Sequence, residues 1–495
     1  MSLKKDLHFV FLNPQGNFGP ALENYLGSHP DFGGQLIYVT EIARALTENG
    51  EYPSLQVDIV TRQILDPQWP GFAKEVEFLN PRLRIIRLPF GGKSFLRKEE
   101  LWPYLLTEYI PRLQEFYRQE GRRPDFVTAH YADAGLSAVY LKEQTGLPFT
   151  FTMHSPGALK MDKLVTKENF TSQLEKYFFE IRIAAERMAI ASADRIITST
   201  HQEQEYQYGH PLYRDLRPPA AKFAVVSTGV DEKFFSPQAH FDRAGQNWWQ
   251  ELIQSQCPAS RRHLSFILLL SRPTPKKNLL GFLRAFAQSR ELQEHFQLFI
   301  SSGDKDALHR LPLNQVPDQY LRQVVAFIKE QNLERKIIWS KKIPRCFLPP
   351  LYTTIRERGG FLVSPALYEP FGLLVLEALS CGLPVVSGRN GGPEETLPGR
   401  AILVDPEDEK SIIEGCCRYW KDRDLYEKHS RQGPAYIRSR FTWRQGAEAY
   451  LKNAREILTN KDKRKKISIP RLFFHLSAGK NEPQLVTWLR QHYFN

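Results

Sequence analysis

Residues 368–386 read YEPFGLLVLEALSCGLPVV, a stretch that combines the end of a strand, a loop and the start of a helix. Pro370 suits the fixed backbone angle of a first helical turn. Gly372 has no Cβ, so the backbone can approach a ligand closely there. The backbone amides of residues 371–373 can then face a diphosphate, because the N-terminus of a helix attracts phosphate oxygens.

Two glutamates accompany this predicted helix start. Glu369 lies just outside the helix, where its carboxylate can accept hydrogen bonds from sugar hydroxyls. Glu377 follows two turns later and reaches a ribose diol only if a nucleotide lies alongside the helix. A simpler interpretation makes Glu369 a charge that favours the helix dipole and Glu377 a surface residue. The surrounding residues favour the functional interpretation.

A second basic segment, SRPTPKKN at residues 271–278, follows the predicted strand Ser265–Leu270. Arg272 and Lys277 supply cations that can converge on a donor diphosphate. Taken alone, they would be loop cations exposed to solvent. The glutamate motif in the same half of the chain favours a diphosphate site.

Strands and helices alternate along the chain, which predicts an α/β fold with two doubly wound parallel sheets. At 495 residues the chain is too long for one core, so we expect two domains. The first comprises residues 1–235, with 456–495 returning to it, the second comprises 236–455, and the hinge lies near 230–262. The predicted strands are His8–Leu12, Val57–Thr61, Leu83–Leu88, Phe126–His130, Phe149–His154 and Arg195–Ser199, then Ser265–Leu270, Gln297–Ser301, Lys336–Trp339, Gly360–Ser364, Leu383–Ser387 and Ala401–Val404.

The composition is that of a globular protein, with 42% hydrophobic and 25% charged residues. No stretch approaches the ~18 consecutive apolar residues of a membrane span, and the N-terminus lacks a cleavage pattern. The five cysteines lack metal-type pairing with histidines, which favours reduced thiols in the cytoplasm. The net charge of +12 suits nucleic acid, acidic membranes or phosphorylated substrates equally well.

The glutamate motif resembles the signature of the retaining glycosyltransferases of family four. That resemblance implies the GT-B fold, in which two Rossmann-like domains face each other across a cleft and a nucleotide sugar is the donor. It further implies a histidine near the donor hexose, which is His154 here, and contacts of the base with backbone near Lys341 and Ile343. The implied catalytic residues are His154, Arg272, Lys277 and Glu369, and the implied donor-binding residues are Gly34, Arg272, Lys277, Lys341, Ile343, Glu369, Phe371, Gly372, Leu373 and Glu377.

Motifs of the first half extend the resemblance over nearly the whole chain. NPQGN (13–17), HPDFGGQ (29–35), RLPFGG (87–92), KEELWPYL (98–105), AHYAD (129–133), FTFTMHS (149–155) and AERMAIASADRIITST (185–200) resemble, in this order, the bacterial sucrose-phosphate synthase branch of that family. The branch implies transfer of glucose from UDP-glucose to fructose 6-phosphate, giving sucrose 6-phosphate and UDP. The implied acceptor-binding residues are Gly33, Gln35, Lys98, Tyr131, Ser155, Lys160 and Arg182.

The acceptor residues suit a sugar phosphate on chemical grounds as well. Lys98, Lys160 and Arg182 are cationic donors for a dianionic phosphate, and Tyr131 and Ser155 add neutral hydrogen bonds. Two positions depart from the family pattern. Its His-Ser-Leu-Gly reads His154-Ser155-Pro156-Gly157, and its arginine pair reads Ile181-Arg182. A different acceptor therefore stays open.

Three alternatives remain at this point. One is a related synthase using GDP-mannose to make mannosylfructose phosphate; another is a catalytically silent sugar-phosphate sensor, suggested by Ile181 and Pro156. The third is a membrane-surface glycosyltransferase that uses the basic run at 460–470, for which a solvated linker is the simpler interpretation. We expect neither nucleic acid nor membrane as a partner, and a separate phosphatase would be needed to release free sucrose.

No cofactor is expected, because the nucleotide sugar is a substrate. Magnesium, if it stimulates the reaction, would not be ligated by a protein motif. Asp304-Lys305-Asp306 and Asp422-Arg423-Asp424 match the short Asp-x-Asp pattern of a different glycosyltransferase fold, but the pattern is too common to indicate a metal site. We interpret both as exposed to solvent and predict no metal ligands.

Overall fold

Two separate sheets organise the chain in the computed structural model, which describes residues 6–16, 18–19, 33–301, 308, 312–316, 318–341, 343–460 and 468–494. One compact unit comprises residues 1–227 and 443–495, and the other comprises residues 228–442. Each unit has its own sheet and its own buried cores.

The sheet of the first unit has the strand order β3-β4-β2-β1-β5-β6-β7-β8. Its strands pair in parallel except for β3, which runs antiparallel to β4 at the edge. The bounds are β1 His8–Leu12, β2 Gln56–Gln63, β3 Val76–Asn80, β4 Leu83–Pro89, β5 Phe126–His130, β6 Phe149–Thr152, β7 Arg195–Thr198 and β8 Phe223–Val225.

The sheet of the second unit is wholly parallel, with the order β11-β10-β9-β12-β13-β14. Its bounds are β9 Ser265–Leu270, β10 Phe296–Ser301, β11 Ile337–Ser340, β12 Phe361–Ser364, β13 Val385–Gly388 and β14 Ile402–Val404. The α/β class and each strand proposed from sequence are therefore confirmed, with ends that differ by up to two residues.

Helices follow most strands. The first unit contains α1 Gly34–Thr47, α2 Trp102–Tyr104, a π-helical stretch Leu105–Tyr109, α3 Ile110–Gln119, α4 Tyr131–Thr145, α5 Gly157–Leu164, α6 Phe170–Tyr177, α7 Phe179–Ser192, α8 His201–Tyr208 and α9 Pro211–Arg214. The second contains α10 Arg243–Gln256, α11 Leu279–Gln288, α12 Arg290–His295, α13 Gln319–Glu330, α14 Leu348–Glu357, α15 Leu373–Ser380, α16 Gly392–Thr396, α17 Glu409–Lys421 and α18 Arg423–Arg440. The chain then returns to the first unit with α19 Trp443–Thr459 and α20 Pro483–Tyr493.

Short 3₁₀ turns connect several of these elements. They are Pro70–Phe72, Lys98–Glu100, Ala220–Lys222, Ala259–Arg261, Pro275–Lys277, Leu313–Gln315, Glu334–Lys336, Arg345–Phe347 and Arg471–Phe474. None of the helices in the described residues is both long and apolar enough to cross a membrane.

Strand β1 shows why the sheet of the first unit needs helices on both faces. All five residues of its HFVFL sequence are buried, and successive side chains point to opposite faces. Phe9 and Phe11 enter one apolar core, whereas Val10 and Leu12 enter the other. A strand buried on both faces reads as a continuous apolar run, as parallel strands usually do.

The unit boundaries differ from the predicted ones. The return to the first unit begins at Trp443 rather than at residue 456, because the apolar face of α19 packs in the same core as α1. Tyr450 and Leu451 are buried there together with Ile42. The predicted hinge at 230–262 belongs wholly to the second unit, where Trp249 of α10 is buried in the core. The chain leaves the first unit after residue 227.

Each sheet has one point where the order of strands reverses. In the first unit β1 lies between β2 and β5, and in the second β9 lies between β10 and β12. The loops after the two strands on either side of such a point diverge to opposite faces of the sheet. They leave a crevice at the carboxyl edge where ligands of α/β proteins bind.

Candidate active site

The loops after β9 and β12 meet at the carboxyl edge of the second sheet. Lys277, from the 3₁₀ turn after β9, forms an ion pair with Glu369 from the loop after β12. The backbone amide of Leu367 donates to the Lys276 carbonyl over 2.9 Å, so the loops are joined through their backbones as well. Two motifs separated by about ninety residues in sequence are thus brought together at the strand-order reversal of this unit.

A third loop, which follows β13, is hydrogen-bonded to the backbone of Glu369. Its amide donates to the Asn390 carbonyl over 3.1 Å, and its carbonyl accepts from the Gly392 amide over 2.8 Å. A Cβ on Gly391 would lie 2.3 Å from the Glu369 carbonyl oxygen, and a Cβ on Gly392 would lie 2.3 Å from the Pro370 carbonyl oxygen. The two glycines are therefore required for this close approach, and they fix the backbone that carries Glu369.

Helix α15 begins directly after Glu369 and Pro370. Gly372 is its N-cap residue, with a left-handed φ of 93°. Within the described residues, the N-cap position provides no side-chain hydrogen bond to the first amides of the helix. Phe371 directs its ring into the core, 5.9 Å from the ring of Phe441, and is buried. Of the predicted donor residues at 371–373, Phe371 can therefore offer only its backbone to a ligand, and Leu373 is half-buried.

Glu377 lies just over one turn into α15 and is half-buried. Burial raises the pKa of its carboxyl to about 7, although the Arg345 guanidinium acts in the opposite direction. Arg345 itself lies 5.5 Å from the ring of Phe234. A carboxyl that titrates near neutrality can gain or lose its acceptor strength within the physiological range of pH.

Three further predicted donor residues, Arg272, Lys341 and Ile343, belong to the loops of the same edge. Arg272 is exposed, and its side chain has no hydrogen bond or ion pair within the described part of the chain. Lys341 is exposed directly after β11, and its carbonyl accepts from the Ser301 hydroxyl over 2.9 Å. Ile343 is buried. The structure thus brings Lys277, Glu369 and the start of α15 together and leaves Arg272 with an exposed guanidinium.

The first unit contains a pocket that opens to solvent. Three of the predicted acceptor residues line it, namely Lys98, Tyr131 and Arg182. Four lining side chains of chemical interest were not predicted: Glu99, Trp102, Asp133 and Tyr177.

Lys160, also predicted, reaches the rim of this pocket. Its ammonium lies 3.9 Å from the centre of the Tyr177 ring and 3.7 Å from Glu99 Oε1. The Lys98 ammonium lies 5.4 Å from the centre of the Tyr131 ring. Both distances are typical of cation–π contacts. Both lysines therefore rest on aromatic faces that form part of the pocket lining.

Arg182 is held by a buried carboxylate that sequence reasoning missed. Glu186, fully buried one turn later on α7, accepts from Arg182 Nε over 3.0 Å and from the Gly157 amide over 2.9 Å. It also accepts from the Tyr213 hydroxyl, while Arg182 donates to the Ser155 carbonyl. Burial lowers the pKa of Arg182, but Glu186 outweighs that effect and raises it. The network fixes the segment 155–157.

The two departures from the family pattern lie in this region. Ile181 is buried in the apolar core, on α7 next to the arginine that lines the pocket. Pro156 has an extended backbone with φ −62° and serves as the N-cap residue of α5. Ser155 is exposed. The apolar residue at position 181 therefore contributes to packing, whereas Arg182 contributes to the pocket.

His154 lies beyond the end of β6 rather than in it, so the predicted strand Phe149–His154 is two residues too long. Its φ of 56° is left-handed and cannot continue a strand. The Ser155 amide donates to the Met153 carbonyl over 2.6 Å, which closes a tight turn around His154. The ring of Tyr131, a pocket residue, lies 5.1 Å from the His154 ring. The histidine therefore borders this pocket.

The glycine segment of the first unit is described in part. Gly33 precedes α1 with an extended φ of −112°, Gly34 opens the helix, and Gln35 lies in its first turn. A Cβ on Gly34 would meet nothing within 4 Å, so packing does not require glycine there. Asn17, Asp31 and the other residues of 20–32 lie outside the described residues.

The Asp-x-Asp segments and possible metal ligands can be placed only in part. Asp422 caps α18 by accepting from the Leu425 amide over 2.9 Å, which is a structural role. Residues 304–306 lie outside the described residues. No group of three or more acidic, histidine or cysteine side chains gathers as a metal site in the described part of the chain.

Comparison with known proteins adds family information to this geometry. Residues 33–229 match the Glycosyl transferase 4-like domain, and residues 257–436 match Glycosyl transferases group 1. A probable sucrose-phosphate synthase of Thermosipho melanesiensis is 36% identical over 455 residues, covering 90% of this chain and 96% of that protein. The sucrose-phosphate synthase of Spinacia oleracea is 29% identical over 511 residues, and the match covers 90% of this chain but 47% of the plant protein.

Solved structures agree with the fold. The sucrose-phosphate synthase of Thermosynechococcus elongatus has a TM-score of 0.68 at 22% identity, covering 91% of this chain and 99% of that one. The HepE protein of Anabaena, in complex with UDP and glucose, has a TM-score of 0.58 at 14% identity, covering 90% and 99%. At such identities the likeness shows the fold alone, and it confirms the predicted GT-B fold of two parallel-sheet α/β domains.

Proposed function

The chain belongs to the sucrose-phosphate synthase family, and from that premise we propose that it transfers glucose from UDP-glucose to fructose 6-phosphate, giving sucrose 6-phosphate and UDP. The observation that carries the proposal is the meeting of the loops after β9 and β12. They place Lys277, Glu369 and the uncapped start of α15 at one sheet edge.

The second unit has the groups that a nucleotide-sugar donor requires. Lys277 and Arg272 neutralise the diphosphate, and the backbone amides at the start of α15 donate to its oxygens. Glu369 accepts hydrogen bonds from hydroxyls of the transferred sugar. Glu377 accepts from the ribose diol. The complexes of Anabaena HepE with UDP-glucose and with UDP support a nucleotide-sugar donor for a protein of this fold.

The first unit has the pocket for the acceptor. Lys98, Lys160 and Arg182 surround it with cationic donors for the phosphate, and Tyr131 adds a phenol. Each of two cations already has a carboxylate partner, because Glu99 lies beside Lys160 and Glu186 beside Arg182. We therefore propose that the phosphate competes with Glu99 for Lys160 when the acceptor binds.

The family membership supports transfer with retention at the anomeric carbon. The acceptor hydroxyl attacks the face from which the nucleotide leaves, and a leaving phosphate oxygen takes the proton. The protein then orients both substrates and stabilises the negative charge that builds on the diphosphate. Lys277 and Arg272 are the residues that we assign to this stabilisation.

The test is release of UDP from UDP-glucose with and without fructose 6-phosphate, with GDP-mannose and free fructose as parallel substrates. We expect UDP release that requires both UDP-glucose and fructose 6-phosphate and that Lys277→Ala slows by about 100-fold. Turnover with GDP-mannose alone would identify the related synthase instead. No turnover with either donor would favour the sugar-phosphate sensor and contradict the proposal. A cytoplasmic location and a separate phosphatase partner stay predictions.

A further inference from the structure

A second histidine, His130 at the end of β5, is hydrogen-bonded to His154. Nδ1 of His130 lies 2.9 Å from Nε2 of His154, and the two rings are nearly parallel with centres 5.2 Å apart. In the neutral pair, one of the two facing nitrogens carries the hydrogen and the other accepts it. The Nε2 atom of His154 is thereby engaged. Its Nδ1 atom has no hydrogen-bond partner among the described residues.

His130 is held rigidly in the core of the first unit. It is fully buried, it stacks on Phe11 with ring centres 5.5 Å apart, and its Nε2 atom lies 3.3 Å from the Thr128 hydroxyl. The Tyr450 hydroxyl is hydrogen-bonded to Thr128 and to Thr150. A continuous series of hydrogen bonds therefore runs from His154 to the returning helix α19.

The backbone on both sides of this pair is strained. His154 has a φ of 56° and Tyr131, directly after His130, has a φ of 70°. Left-handed conformations are unfavourable for non-glycine residues and persist only where the surroundings enforce them. Two such residues touch each other at the ends of adjacent parallel strands. Strain of this kind gathers where a side chain must be aimed at a ligand.

We propose that His130 is a positioning residue, which engages Nε2 of His154 so that Nδ1 of His154 is presented to a substrate hydroxyl. The assignment of His154 to the reaction rests on the proposed function. A histidine with a merely structural role would satisfy its nitrogens within the core. Here one of the two nitrogens of His130 is instead committed to a half-buried residue in a strained turn beside the acceptor pocket.

The kinetic test compares His130→Phe, His130→Asn, His154→Ala and the double variant His130→Phe/His154→Ala. Phenylalanine keeps the stacking on Phe11 and removes the hydrogen bond, so we expect kcat to fall about 10- to 100-fold, the range that misorientation of a reacting group produces. Asparagine can place an amide near the Nδ1 position and should restore most of the loss. In the His154→Ala background, His130→Phe should have no further effect.

A matched control separates positioning from folding. His429 in the second unit is also buried and bonded through Nδ1, to the Tyr419 hydroxyl at 2.8 Å, so His429→Phe should lower Tm without a comparable loss of kcat. Equal losses of kcat in the presence and absence of His154, or a His130→Phe enzyme with unchanged kcat, would overturn the inference.

A measurement on the unaltered protein tests the pair without requiring turnover or a folded variant. Burial lowers the pKa of His154 to about 3 and that of His130 well below its usual range, and the surrounding titratable rings are Tyr38 and Tyr131. In the ¹⁵N spectrum of histidine-labelled protein, the imidazoles of His130 and His154 should therefore both be neutral at pH 6. A protonated His154 at that pH, or no hydrogen-bonded nitrogen pair, would contradict the inference even if the proposed reaction is observed.

Discussion

Replacing Glu186 by glutamine should weaken the first unit and its pocket together. The carboxylate is fully buried and accepts from Arg182, from the Gly157 amide and from the Tyr213 hydroxyl. Glutamine keeps the shape but leaves the buried Arg182 guanidinium without its counter-charge, and breaking such a pair typically lowers the free energy of unfolding by about 3–5 kcal/mol. We take a loss of about 3 kcal/mol, because the glutamine amide oxygen can still accept one hydrogen bond. For domains of about 150–250 residues 1 kcal/mol shifts Tm by about 2–4 °C, and this unit is slightly larger, so Tm should fall by about 6 °C.

Thermal unfolding followed by circular dichroism, combined with steady-state kinetics, measures both effects. The KM for fructose 6-phosphate should rise about tenfold, equivalent to about 1.4 kcal/mol, because the segment 155–157 loses its anchor. The KM for UDP-glucose should stay within twofold. Glu175→Gln is the control, since Glu175 is an exposed carboxylate on the neighbouring helix α6. An unchanged Tm in Glu186→Gln, or equal changes in both KM values, would refute the reasoning.

Three further predictions concern the proposed donor site of the second unit. Gly392→Ala should reduce kcat/KM for UDP-glucose more than tenfold, because its Cβ would lie 2.3 Å from the Pro370 carbonyl, whereas Gly50→Ala, with nothing within 4 Å, should be neutral in the same assay. Lys277→Met should lower kcat by about 100-fold with Tm within about 2 °C, since this partly exposed ion pair contributes little to stability; a large loss of Tm would contradict the assignment. The KM for UDP-glucose should fall as pH rises through about 7, where the Glu377 carboxyl becomes ionised and accepts from both ribose hydroxyls, and a pH profile of Glu377→Gln that keeps this change would disprove the role.

Most of the fold could be predicted because its strands are short apolar runs bounded by turns. Strand β9, with the sequence SFILLL, is one example, and its bounds are confirmed. Strands β3 and β8 were missed because both lie at the edges of the first sheet and lack a buried pattern, and the central Phe78 of β3 is exposed. Helix α19 has its buried residues at helical spacing, but nothing in such a pattern tells which of two cores the helix joins. That is why the boundary at 455 was wrong.

The candidate site was predictable where its residues lie close together in sequence. The segments around Glu369 and Lys277 form recognisable motifs, and the structure joins them. Glu186 and Tyr213 could not be predicted, because their importance depends on contacts with each other and with the Gly157 and Ala158 amides, which are distant in sequence. The spacing of four residues between Arg182 and Glu186 is the one signal that could have indicated their ion pair.

The most direct test of the central proposal is identification of the product made from UDP-glucose and fructose 6-phosphate. Proton and phosphorus NMR of the unseparated reaction should show a phosphorylated disaccharide with an α-linked glucose and an equal amount of UDP. A reaction that yields free glucose and UDP, or no disaccharide phosphate at all, would contradict glucosyl transfer to this acceptor.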